Sequence, residues 1–196
     1  MAQLLDLCNR ALSRLGARRI NALTLEDSPQ AAMALELAQP RIDALLAEFP
    51  WRFAIKTKQL TRLAGEPPEA SGWSYHFAVP TDCLRLHKIH EHAARYEIHA
   101  HPNSGARVIY SNTSELWADM VLRIEAALFP AHVEQAATAV LAAEFAMPIT
   151  RTPAIATYWE GRAVVLVSKA IAHDANEQPW EDIPDGDMFV NARFGP

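Results

Sequence analysis

Glycine and cysteine are scarce in this chain, and their scarcity removes several kinds of chemistry at once. The seven glycines lie scattered among turns, and no G-x-x-x-x-G-K-[ST], G-x-G-x-x-G or G-x-S-x-G occurs. A phosphate-cradling loop or a nucleophile elbow therefore cannot be assembled. The two cysteines, Cys8 and Cys83, form no C-x-x-C pair, which excludes a structural zinc site of the usual kind. Both read as small buried hydrophobes of a reducing compartment rather than as a disulfide. Basic charge is also short. The net charge is −5, the acidic excess gathers towards the C-terminus, and Arg18-Arg19 and Lys56/Lys58/Arg62 are only small basic clusters. Nucleic acid is thus not the expected main ligand, although a basic lining on one face of an assembly stays open. No apolar run approaches the roughly 20 residues needed to span a bilayer. The N-terminal Met1-Ala2-Gln3-Leu4-Leu5-Asp6 lacks the basic start and apolar run of a signal peptide. The expectation is a protein kept in the cytoplasm, or packed into something assembled there.

What the chain does have is apolar material, at 50% of its residues, enough for a sizeable core. Its 196 residues suit one large domain or two small ones. The organising stretch is Phe49-Pro50-Trp51-Arg52-Phe53-Ala54-Ile55-Lys56. Pro50 donates no backbone hydrogen bond and biases Phe49 away from helical geometry, so a helix should stop there. Trp51, Phe53 and Ile55 then share one face at period two. The aromatics should pin a helical layer to the start of a sheet. A sharper alternative makes Trp51 and Arg52 part of a partner surface.

Gln3 to Leu15 carries Leu4, Leu5, Cys8, Ala11, Leu12 and Leu15 at helical spacing, with Gly16 in the C-cap place. Ser28 and Pro29 form a strong start signal for a second helix reaching Phe49, with Ala32, Leu35, Ile42, Leu45, Leu46 and Phe49 as its core face. Pro40 inside it predicts a break near Ala38 to Pro40. Strands are expected at Phe53 to Leu63, Trp73 to Val79, Leu84 to Ile89, Tyr96 to His99, Arg107 to Tyr110 and Val121 to Ile124, giving a small antiparallel unit of about five strands. Ala131 to Met147 reads as an alanine-rich helix stopped by Pro148. Thr152-Pro153 caps a last helix whose stripe is Ile155, Trp159, Ala163, Leu166, Val167, Ala170 and Ile171. The order implies an α+β protein: a four-helix unit drawn from both chain ends (1–50 and 127–173), a β-rich insertion (51–126) and an extended acidic C-terminal arm (174–196).

The arm has no period, yet it carries Trp180, Met188, Phe189 and Phe194. A purely solvating tail would lack such anchors, so it reads as an arm that orders against a partner, the alternatives being docking on its own domain or plain disorder. Asp185-Gly186-Asp187 lacks the rest of a calcium loop, and Glu181-Asp182 sits where no general acid could be held in place. The histidines His87, His90, His92, His99 and His101 fall close together. If His90 and His92, and separately His99 and His101, share strand faces, facing imidazoles could gather a transition metal. The alternative is a solvated hairpin surface with some pH sensitivity. No cofactor and no enzymatic activity are expected.

Several pieces, taken in order, resemble the tail tubular protein A family, the head-to-tail adaptors of short-tailed bacteriophages. They are Cys8-Asn9-Arg10-Ala11-Leu12-Ser13-Arg14-Leu15-Gly16-Ala17 followed by Asp27-Ser28-Pro29, then Phe49-Pro50-Trp51-Arg52-Phe53-Ala54. Next come Val79-Pro80-Thr81-Asp82-Cys83-Leu84-Arg85 and Ala143-Glu144-Phe145-Ala146-Met147-Pro148-Ile149-Thr150, and last Ala172-His173-Asp174-Ala175-Asn176-Glu177. Pro40 and the histidine-rich region depart from the family pattern. The resemblance implies a virion protein: a homo-oligomeric ring, typically a dodecamer, under the capsid portal protein. The helices would pack on neighbours and portal, and the β-part would face a tail nozzle or tube. The arm would reach along the portal or an adjacent subunit. Genomic DNA would pass through the channel without sequence-specific binding, and no membrane is involved. Two further classes stand beside it: a small metal-binding protein or enzyme built on the histidines, and a helical interaction module unrelated to phage.

Overall fold

A computed structural model describes residues 2–65, 67, 71–90, 95–101 and 104–177. It has the expected α+β architecture, with four helices from the two ends of the chain and two small antiparallel sheets between them. The helices are α1 (Ala2–Arg14), α2 (Pro29–Glu48), α3 (Ala131–Thr150) and α4 (Pro153–Asn176). The strands are β1 (Ile55–Gln59), β2 (Thr61–Arg62), β3 (Tyr75–Ala78), β4 (Cys83–Ile89), β5 (Tyr96–Ala100), β6 (Arg107–Ser111) and β7 (Trp117–Leu122).

Local chemistry sets most helix ends. Gly16 adopts φ +72° after α1, and Ala17 N–H reaches back to the Leu12 carbonyl at 2.9 Å while Gly16 N–H reaches Ser13. This is the left-handed cap that glycine adopts without steric cost. Ser28 Oγ accepts the Ala31 N–H at 3.1 Å, with Pro29 as the first helical residue of α2. Thr152 precedes α4 as expected, but its hydroxyl donates to the Thr150 carbonyl and caps nothing in α4.

Both interior prolines depart from expectation. α2 runs without a break through Pro40, and α3 continues past Pro148 to Thr150. Each proline deprives the carbonyl four residues earlier of its helical partner, at Glu36 and Glu144. All four residues are exposed, so water can serve the freed carbonyls. α3 ends instead where Arg151 takes φ 53° and its N–H bonds the Met147 carbonyl.

α3 is the central element. It packs against α1, α2 and α4, and Val133, Ala136, Ala137, Thr138, Ala139, Val140, Leu141, Ala142, Phe145 and Ala146 are all buried. A helix apolar all round belongs inside. Its alanines let the other helices approach closely within one chain. The face of α2 turned towards this core is Ala31, Ala34, Ala38, Ile42, Leu45 and Leu46. Leu35, expected in it, is largely exposed because Ala34 and Ala38 carry the stripe at that level.

The insertion forms two sheets rather than one unit of about five strands. The first has the order β1-β7-β4 and the second β2-β3-β6-β5, all neighbours antiparallel. The long strand expected from Phe53 to Leu63 is broken twice. Arg52–Ala54 is a 3-10 turn, so pairing begins at Ile55. Leu60 lies between β1 and β2, is buried, and donates its N–H to the Leu116 carbonyl at 2.8 Å. The chain thereby passes from one sheet to the other. Val121 and Ala54 join the helical core, while Leu60, Phe77, Cys83, Ile109, Leu116, Ala118, Met120 and Leu122 form a second core between strands. Cys8 and Cys83 are both buried and unbridged.

Because Ala139 is wholly buried in the central helix, Ala139→Leu should overpack it and lower stability by about 1–3 kcal/mol. Urea unfolding should show a lower midpoint with an unchanged slope; an unchanged midpoint would contradict the central placement of α3.

Candidate interaction surface

The joint between helices and sheet is built on Trp51. Its side chain is fully buried, its indole N–H donates to the Leu45 carbonyl at 3.0 Å, and Phe49 meets it edge-on at 5.2 Å. Phe53 in turn meets Phe129 at 5.7 Å, tying the way into the insertion to the way out. Trp51 therefore pins layers together and is corrected as a partner-surface residue, because no part of the ring is left to offer. Arg52 lies at the surface, and its backbone N–H is bonded to both carboxylate oxygens of Asp174 at 3.2 Å.

Asp174, which the sequence suggests as the start of the acidic arm, is instead a buried residue in the last turn of α4, which extends to Asn176. Burial raises its carboxyl above the usual carboxylate range, and Glu177 adds to this. The Arg52 N–H and the charges of Arg52 and His132 oppose it. His132 stacks on His173 with ring centres 5.5 Å apart. Nε2 of His132 is buried without a hydrogen-bond partner. The sequence does not bring this cluster together, since His132 lies on α3 while His173 and Asp174 lie on α4. Trp180, Met188, Phe189 and Phe194 lie outside the described residues.

The histidines do not form one hairpin. β4 pairs with β7 and β5 with β6, so the residues expected to face each other sit in different sheets. His90 Nε2 lies 2.7 Å from Asp119 Oδ1, which also accepts the Thr57 hydroxyl at 2.6 Å. Burial pushes the Asp119 carboxyl up, but the His90 and Thr57 hydrogen bonds and the charges of His90 and His87 outweigh it and hold it below the usual range. In the second sheet His99 stacks on Tyr110 at 4.6 Å and bonds Glu97 at 2.8 Å. His101 lies 6.1 Å from His76, a buried residue whose basicity is lowered by burial and by the nearby His101 and Arg62. His92 lies outside the described residues. Among the described residues, no group of three His, Cys, Asp or Glu side chains is placed to share a metal ion.

The surface that stands out is the outer side of α4. Its inner stripe is Ala156, Ala163, Leu166, Ala170 and Asp174. Ile155, expected in that stripe, is exposed, and so are Tyr158, Val164 and Val165, with Val164 at 66%. The smaller residues Thr157, Gly161, Ser168 and Ala172 are exposed beside them. Arg14 of α1 sits over the Trp159 ring at 5.7 Å, and Tyr158 meets Trp159 edge-on. Beside Val164 a groove of about 290 Å³ runs between α2 and α4, with Leu45, Val140 and Ala143 in its lining and Arg41 and Glu160 on it. Scattered exposed apolar residues need no explanation, but a run of them along one helix next to an apolar groove makes this the candidate interaction face. The sequence signal for it is the unbroken Val164-Val165-Leu166-Val167, which one core-facing stripe cannot absorb.

No protein-family model matches this chain, and no curated protein matches it. Among the described residues no helix is long and apolar enough to cross a membrane.

The Asp174 cluster predicts a definite pH dependence. A carboxyl whose folded value is raised holds its proton more tightly in the folded state, so stability is lost as pH rises from the unfolded value through the folded one. Asp174→Asn keeps an oxygen for the Arg52 N–H but cannot ionise. Stability measured by urea unfolding across that window should fall for the natural chain relative to Asp174→Asn; a difference that stays constant with pH would refute the assignment.

Proposed function

We propose that this chain is a structural subunit of a phage head-to-tail adaptor, with no catalytic role. Copies form a ring, a dodecamer by the family pattern, between the capsid portal protein and a tail nozzle or tube protein. Genomic DNA passes through the ring without being read. The observation that carries this reading is the outward apolar face of α4, which a chain working alone would leave in water. In a ring each subunit is held by two neighbours as well as by the portal, so modest contacts add up to a stable assembly. The α+β order of elements supplies a helical part and a β-part for the two ends of such a ring, and the aromatic residues after α4 supply anchors for the portal or a neighbour.

Negative-stain microscopy and mass photometry of the purified protein, alone and with candidate portal proteins, test this reading. The natural chain should form rings alone or on the portal. A chain ending at Glu177, which preserves the buried Asp174, should lose portal binding. Tyr158→Glu and Val164→Lys alter exposed positions and should change folding stability by no more than about 0.5 kcal/mol while reducing ring formation. A monomer indifferent to every portal offered would refute the proposal.

A further inference from the structure

Each sheet ends in two edge strands, and an open edge is a row of unpaired N–H and C=O groups that another chain can join. Three of these edges are blunted. β1 carries Lys56 and Lys58, and β4 carries Arg85 and Lys88 with two shifts of register against β7. β2 is only two residues long. β5 has none of these devices. Its pairing with β6 is unbroken from Tyr96 to Ala100, it contains no Lys, Pro or Gly, and its Glu97 and His99 side chains are bonded to each other at 2.8 Å. All its residues are exposed, and no other described strand lies on its outer side. The ladder shows which main-chain groups are open. His101 N–H reaches the Ala106 carbonyl at 2.7 Å, just beyond the paired residues. Alternation from there turns the main-chain groups of Glu97 and His99 towards β6 and those of Tyr96, Ile98 and Ala100 outward. These three residues also share the face of Ile109, which lies directly across from Ile98 and is wholly buried in the core between the strands. Ile98 is nevertheless 52% exposed and Tyr96 41% exposed, so this core runs out to the open edge without being closed there.

We infer that the outer edge of β5 pairs antiparallel with β5 of a second copy of this chain, about a two-fold axis at Ile98. The strand is complementary to its own antiparallel image, and that self-complementarity singles out an identical chain as the partner. In this register Tyr96 bonds Ala100 of the second copy and Ile98 bonds Ile98, so every outward N–H and C=O of the strand is used. Glu97 falls opposite His99 of the second copy, and His99 opposite Glu97, which sets a carboxylate against an imidazole at both positions. On the other face Tyr96 lies across from the small Ala100, and the two Ile98 side chains meet and carry the core across the axis. Other registers lose these matches. A shift of one residue sets open main-chain groups against groups already bonded to β6. A shift of two shortens the ladder and sets Glu97 against Glu97 or His99 against His99, and like charges directly opposite are destabilising. Main-chain bonds supply affinity in such edge pairing and the alternating side chains supply specificity. The contact uses the same patch on both copies, whereas neighbours in a ring meet head to tail, so it does not rest on the ring reading.

The native cysteines are buried and the residues of β5 are exposed, so cysteines introduced there can be oxidised selectively. Full-length Ile98→Cys is prepared with and without a size tag, and the mixture is oxidised. Opposed Cα atoms of a bonded antiparallel pair lie about 5.5 Å apart, within disulfide range. Linked pairs are expected, with mixed and like products in statistical proportion. Glu97→Lys is then added to the tagged chain and His99→Glu to the untagged one. Either variant paired with itself finds no opposite charge, whereas the mixed pair has one at every such position. The mixed product should now exceed each like product about tenfold. Tyr96→Cys should link to Ala100→Cys but not to itself. No linked pair, as when a segment of the same chain covers the edge, would overturn the inference. So would statistical proportions that persist in the charge variants, or Tyr96→Cys linking to itself. Microscopy of the same samples reads rings separately. Linked pairs without rings would leave the strand pairing standing and count against the adaptor reading, and rings without linked pairs would do the reverse.

Discussion

Everything in this fold depends on burying one helix on all sides. From Ala136 to Ala142 α3 has no solvent face, so it is stable only when α1, α2 and α4 surround it. Two of those partners come from the start of the chain and one from the end. The helical unit therefore closes only when the whole insertion has been spanned. Alanine makes the arrangement possible by bringing helix axes close, and it leaves each contact small, so stability is spread over many contacts. Larger side chains take over where the helices meet the sheets, at Trp51, Phe53 and Phe129.

Polar ties hold the joined parts in register. Asn9, buried in α1, donates to the Ile20 carbonyl and accepts the Ile20 N–H, fastening the connector that follows. Arg85 of β4 donates to the terminal carbonyl of α2 at Glu48, where a cation satisfies groups the helix leaves unpaired. Arg123, just past β7, forks onto the Asp43 carboxylate of α2. Asp174 ties the end of α4 to Arg52. Three of these join a helix to the sheet region and give the β-part a defined direction.

The four helices are legible in the sequence because caps and periodicity are local. Ser28-Pro29 and Gly16 act on groups a few residues away, and the structure places them as their chemistry requires. The prolines mislead because their cost depends on whether the freed carbonyl reaches water, which is a tertiary fact. The sheets are less legible. Strand periodicity reports which residues share a face but not which strands pair, so the division at Leu60 and the separation of β4 from β5 leave no trace in the pattern. The same blindness joins His90 to His99 and His101 in one imagined hairpin. Asp174 misleads for a related reason: an acidic residue near an acidic segment resembles a tail until a backbone N–H from residue 52 is found opposite it.

The contact of Phe53 with Phe129 carries a consequence for how the molecule can change. The insertion leaves and re-enters the helical unit at adjacent points, so for the helices it is a single loop with its ends held together. The entropy lost in closing such a loop grows only with the logarithm of its length, and doubling the length costs about 0.6 kcal/mol. The β-part can thus change length at little closure cost, provided the strands that bring Arg85, Val121 and Arg123 to the bundle are kept. The outer strands are free to diversify while the surface of the bundle stays as it is.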